Sequence, residues 1–316
     1  MRIGIQLPHF SDESTHARLL DFAPRIEQLG FDSVWARDNL SFKGHGFEHP
    51  GKFVDPFITL AALASVTSRV KLGTAVTVPF RHPLVTAQLV GSLSWISRGR
   101  FELGIGPGSF REPFELTGTR FEDRIALCRE TVGVLRAVAH GPGATYRGKL
   151  TDFAGATIDP APPEDLFIWY GGGSSASVRR AIAYCDGLNP GLCPFMAWDE
   201  VVASARRQSE ALGRNLRFAS IPLLSLGRSY DDALAKVASS LPSFRHFLES
   251  YYRKEFPRVP DLAGALLLGD ADDIGDQLHQ FSARGVDLVV IDARLIMREF
   301  EEVIEQIGER VLPAFS

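Results

Sequence analysis

The feature that most restricts this 316-residue chain is a regular alternation of strand-like and helix-like segments from end to end. Residues 3–7, 33–36, 70–78, 101–105 and 167–170 read as strands, rich in β-branched and aromatic side chains. Weaker strand patterns at 187–192 and 217–226, and a last one at 286–291, bring the number to eight. Helical periodicity fills residues 15–29, 56–67, 84–96, 120–139, 200–212 and 300–311. Gly30 closes the first helix, and Asp55 and Pro56 fit the N-cap and first position of the second. Strands separated by crossover helices predict a parallel sheet. A (β/α)8 barrel fits the alternation and the length, since the fold typically takes ~250 residues. A doubly wound open sheet is the alternative, but no G-x-G-x-x-G follows the first strand. The expectation is one α/β barrel domain over residues 1–316. Two insertions exceed it, a hairpin near 140–166 and a substrate lid near 239–264.

In such a barrel the chemistry lies where strands end at their C-terminal side. Those ends are His9, Arg37-Asp38-Asn39, residues 77–81, residues 106–109 and the Gly171-Gly172-Gly173 turn. The last of these is a strand, three glycines and then Ser174 and Ser175 opening a helical pattern. Bare backbone N–H groups at a helix N-terminus suit a phosphate, and glycine lets the backbone approach it. His9 is a candidate for proton transfer because histidine titrates near neutrality. Asp38 could fix a cofactor's polar edge. His45, Glu48 and His49 cluster in the loop after the second strand, but no further ligand at recognisable spacing supports a metal, so none is expected. Contact with substrate is the alternative for that loop. Arg81 and His82 read as rim structure, and Trp35 and Trp95 as core.

Composition narrows the function. A net charge of -4, without basic blocks, gives no reason to expect nucleic acid. No apolar run is long enough for a membrane span or a signal peptide, which points to the cytoplasm. The three cysteines have no C-x-x-C spacing, and Cys128 and Cys185 sit in helical patterns as buried thiols.

Several segments together resemble the luciferase-like monooxygenase superfamily. They are Gly30-Phe-Asp-Ser-Val-Trp35 leading to Asp38, Asp55-Pro-Phe-Ile-Thr-Leu-Ala-Ala62, and Leu72-Gly-Thr-Ala-Val-Thr77 with Arg81-His-Pro83. Gly99-Arg-Phe-Glu-Leu-Gly-Ile-Gly106, the triple glycine and Val311-Leu-Pro313 complete the set. The resemblance implies a (β/α)8 barrel that binds coenzyme F420, an 8-hydroxy-5-deazaflavin, or alternatively FMN. It implies that Gly171, Gly172, Gly173, Ser174 and Ser175 hold the cofactor phosphate. A non-prolyl cis peptide at Ala75-Val76 would press on the back of the ring. Asp38 and Asn39 match positions at the ring's polar edge, and Glu112 matches a polar position beside it. Helices 56–67 and 84–96 match faces used for homodimerisation. Some deazaflavin dehydrogenases carry a histidine at the position of Asn39 and a carboxylate near Ser109, so sugar-dehydrogenase chemistry does not carry over. The reading favoured is hydride transfer between the deazaflavin and a small organic substrate, with His9 and Glu112 as catalytic candidates. An FMN monooxygenase and a non-catalytic flavin-binding barrel are the alternatives.

Overall fold

The computed structural model describes residues 1–41, 43, 47, 48 and 51–315. Twelve strands run in chain order: β1 Arg2–Gln6, β2 Ser33–Ala36, β3 Lys71–Thr74, β4 Phe101–Ile105, β5 Ala144–Arg147 and β6 Asp152–Ala156. They continue as β7 Ile168–Gly171, β8 Gly187–Asn189, β9 Arg217–Ser220, β10 Leu223–Leu226, β11 Leu266–Gly269 and β12 Leu288–Ile291. Eight of them close a barrel in the order β1-β12-β9-β8-β7-β4-β3-β2, and every pairing in it is parallel. The (β/α)8 expectation holds. The eight barrel strands overlap the predicted segments to within one residue at their outer ends, and β5 and β6 form the expected antiparallel hairpin.

Local chemistry explains where the boundaries moved. The predicted strand at 70–78 stops at Thr74, and the peptide between Ala75 and Val76 beyond it is cis, as the resemblance implied. The strand-like run at 217–226 is two strands. Pro222 has no N–H for a ladder, and beyond it β10 leaves the barrel to pair with β11. β11 has no counterpart in the sequence reading. The first predicted helix breaks into a π-helical turn, Ala17–Asp21, and an α-helix, Ala23–Gln28, with Pro24 at the start of the second piece.

Two indoles close the barrel interior. Trp35 and Trp169 are buried with Ala219, Ile221, Leu288 and Val290 in one apolar cluster. A β-carbon on Gly73 or Gly187 would lie 2.3 Å from the ring of Trp35 or Trp169. Only glycine at those positions lets the indoles lie across the neighbouring strands. The Trp169 Nε1–H donates to Glu102 (2.9 Å), whose carboxylate also pairs with Arg2 and Lys71. The interior below the strand ends is therefore filled, and the open volume lies above them. Trp95 corrects the expectation of a core residue: it is 73% exposed, on the outer face of the helix Pro83–Ile96.

Candidate active site

A cavity of about 1040 Å³ opens at the C-terminal mouth of the barrel, and all eight barrel strands contribute to it. Gln6 ends β1; Arg37, Ala75 and Gly106 follow β2, β3 and β4; Gly171 ends β7 and Asn189 ends β8; Ile221 and Arg294 follow β9 and β12. The helix Leu241–Tyr252 forms one wall, with His246, Phe247 and Tyr251 facing inward. That segment lies in the expected lid.

The Ala75–Val76 step is a shelf in this wall. Thr74 Oγ1 donates to the Gly104 carbonyl (2.8 Å) and accepts from the Gly104 N–H (3.1 Å). Thr77 N–H donates to the same carbonyl (2.7 Å), and Ala75 N–H donates to the Ala36 carbonyl (2.8 Å). A β-carbon on Gly106 or Gly171 would lie 2.8 Å from a Val76 methyl, so Val76 packs directly on both backbones. Backbone and threonine bonds thus hold the shelf on both flanks.

At the glycine turn, Gly172 has φ +141°, and a β-carbon there would meet Ser177 Oγ at 2.6 Å. Ser174 is the N-cap of the helix Ser175–Tyr184, as expected, and accepts from the Ser177 N–H (3.1 Å). The expected phosphate site is only partly available. Gly172 N–H donates to the Asn189 carbonyl (2.9 Å), and Gly173 N–H donates to the Tyr251 hydroxyl (3.0 Å). The N–H groups of Ser174 and Ser175, at the positive end of the helix, make no hydrogen bond among the described residues. Arg180, on the same helix, and Arg124 line this end of the cavity, and Arg124 Nε is buried without a partner among the described residues.

Four predicted contacts fall elsewhere. His9 is fully buried and does not line the cavity. Its Nδ1 lies 3.1 Å from the Leu7 carbonyl and its Nε2 2.9 Å from the Arg37 carbonyl. Burial pushes its pKa down to about 4. The ring thus stands between the Leu7 and Arg37 carbonyls, away from the cavity lining where a proton donor was expected. Asp38 is also buried, with Arg81 gripping both carboxylate oxygens and the Val78 N–H donating to one of them (3.0 Å). It braces the segment after the shelf from behind instead of touching the cavity, and Arg81 is rim structure as expected. Glu112 pairs with Lys43 (2.7 Å) and accepts from Ser41 (3.2 Å), away from the cavity lining. Asn39 is half-buried beside Asp38 and does not line it either. His45 and His49 lie outside the described residues. No cluster suited to a metal ion occurs among the described ones.

The sequence reading missed an ionic cluster on the β1–β2–β12 side. Arg37 Nη1 and Nη2 donate to Glu48 (2.7 and 3.2 Å). Arg294 bridges Glu48 and Asp292, with its Nε 2.8 Å from Asp292. Burial alone would raise the Glu48 carboxyl, but Arg37 and Arg294 outweigh it and hold the group at about 2. Asp292 and Arg294 follow β12 immediately, so strand-end reading extended to the last strand would have found them.

Comparison with known proteins agrees with the fold. The family model for luciferase-like monooxygenases matches residues 1–288. An F420-dependent glucose-6-phosphate dehydrogenase of Amycolatopsis mediterranei is 26% identical over 93% of this chain and 93% of its own. A 5,10-methylenetetrahydromethanopterin reductase of Methanolobus tindarius is 34% identical over 60% of this chain and 53% of its own length. Among solved structures, an F420-dependent secondary alcohol dehydrogenase in complex with an F420-acetone adduct superposes with a TM-score of 0.81. It is 18% identical, covering 100% of this chain and 99% of that one, and shares the fold. A monooxygenase from Streptomyces bottropensis gives 0.82 at 20% identity, with both chains covered in full. The sequence match runs from the first barrel strand to the last, and the chain belongs to the luciferase-like monooxygenase family.

Proposed function

We propose that this chain is an oxidoreductase that binds coenzyme F420 and moves a hydride to or from a small organic substrate. The observation that carries the reading is the division of the cavity. One end has Ser174, at the N-terminus of the helix Ser175–Tyr184, with Arg124 and Arg180 lining the wall beside it, a donor set that suits a phosphate. Beside it lies the Ala75–Val76 shelf, a firm apolar surface for one face of a flat ring. The buried, unpartnered Arg124 Nε supports the fit to an anion. Relatives named as F420-dependent, one of them aligned over 93% of this chain, support the choice of cofactor. When bound, the deazaflavin supplies hydride chemistry at its central ring carbon.

The chain's own part is to hold and enclose. Val76 fixes the depth of the ring, Arg180 and the helix N-terminus its phosphate, and the helix Leu241–Tyr252 shields the substrate from water. With His9 outside the cavity, His246 on that helix takes over as the candidate proton donor among the described residues. The outward helices Pro56–Val66 and Pro83–Ile96 support a homodimer, since Ile58, Val85 and Trp95 lie exposed on them. Turnover is expected anaerobically with coenzyme F420 over a panel of alcohols, ketones and imines. Turnover only with reduced FMN and dioxygen would replace this reading by the monooxygenase. Tight cofactor binding without turnover in either assay would leave a non-catalytic barrel.

A further inference from the structure

The end of the cavity opposite the phosphate donors has a chemistry of its own. Gln6 closes β1 and lines the cavity while being only 2% exposed. Its Nε2 donates to the Trp35 carbonyl (2.8 Å), which fixes the orientation of the amide. The Oε1 is buried and has no hydrogen-bond partner among the described residues. A buried acceptor without a donor is unfavourable by roughly 1–3 kcal/mol, so a protein that keeps one at a cavity wall has a use for it. The neighbouring strand ends carry Arg37 and Arg294, with Glu48 reaching them from the loop after β2. Their charges cancel: two guanidinium groups face the carboxylates of Glu48 and Asp292. Asp292 also accepts from the Arg294 N–H (3.0 Å), so its oxygens are engaged too. These arginines are committed to carboxylates within the chain, and this wall offers no net charge among the described residues.

From this wall we infer the substrate class: an uncharged organic molecule that donates an O–H or N–H to Gln6 Oε1. A charged substrate would have to break a buried ion pair: a phosphate or carboxylate would compete with Glu48 or Asp292 for the arginines, and an ammonium would compete with Arg37 and Arg294 for those carboxylates. The inference rests on the proposed function for assigning the opposite end to the cofactor, and it deepens that reading.

The test uses the full chain, with and without coenzyme F420, and three probes of one shape: cyclohexanol, cyclohexanecarboxylate and cyclohexylammonium. Their affinities are read by saturation-transfer NMR. Cyclohexanol is expected to bind at least about tenfold more tightly than either charged probe. Gln6→Met keeps the side-chain length and removes the acceptor, while the Trp35 carbonyl still accepts from the Leu7 N–H (2.8 Å). The variant should weaken cyclohexanol about tenfold, the equivalent of one hydrogen bond left unmade. Its ligand-free Tm should be unchanged or raised by roughly 2–4 °C, since an unsatisfied group has gone. A charged probe binding as well as the alcohol, no binding of the alcohol, unchanged alcohol affinity in the variant, or a Tm lowered by several degrees would each overturn the inference. Failure of the F420 reading shows separately, as absence of cofactor binding and turnover, because the probe affinities and the Tm are also read on the chain without the coenzyme.

Discussion

At the scale of single residues, burial makes the His9 imidazole a reporter of folding. Its pKa is about 4 in the folded chain, because the buried site disfavours the charged ring. An exposed histidine takes up its proton near pH ~6.5. Between these values the unfolded state binds more protons, so stability rises with pH across the window. It falls by about 3 kcal/mol as the pH drops from 6.5 to 4. Urea melts of wild type and His9→Gln over that range should show the slope in the first and its loss in the second. Turnover of His9→Gln at pH 7.5 should stay within about threefold of wild type. Abolished turnover in a folded variant would return His9 to the chemistry. The strand-end rule located His9 and Asp38 near the mouth, but it could not tell which groups would claim them. Arg81 reaches Asp38 from beyond the next strand, and no local pattern records that pairing. Gln6 escaped notice because an amide bears no charge and attracts no attention until its burial is known.

Among the elements, the turn between β7 and the helix Ser175–Tyr184 is the most exacting. Gly172 combines a positive φ with close packing on Ser177, so a side chain there meets both backbone strain and a clash. Gly172→Val should turn the helix N-terminus away from the cofactor phosphate and weaken F420 binding at least about tenfold, since a charged hydrogen bond contributes ~1.5–3 kcal/mol. Fluorescence titration against wild type measures this, and unchanged affinity in a folded variant would remove the turn from the site. The glycines, the serine cap and the following periodicity were all legible in the sequence. The contact of Tyr251 with Gly173 was not, because it joins a strand end to an insertion far along the chain. The same limit hid β11: its partner β10 lies in a run that reads as one strand until Pro222 is given its weight.

On the scale of the whole molecule, barrel closure and its single mouth followed from the alternation of elements, whereas the division of the cavity into a cationic and a neutral end did not. That division depends on which strands become neighbours, and β12 lies beside β1 only because the barrel closes. The exposed Ile58 (64%), Val85 (48%) and Trp95 (73%) lie on two helices that pack together. Sedimentation should give a dimer, and Ile58→Glu combined with Trp95→Glu should give a folded monomer by burying charge in the interface. A monomeric wild type would refute the interface. The β10–β11 ladder carries a different implication. It ties the two ends of residues 227–265 side by side, with Gly227 N–H donating to the Gly269 carbonyl (2.9 Å). The segment that forms one wall of the cavity is thus a cassette with a stapled base, carried by a two-stranded ladder separate from the barrel sheet. Such a cassette can be exchanged for another of different length or lining without changing the spacing of the barrel strands. New specificities can then arise in the lid while the barrel goes on holding the coenzyme.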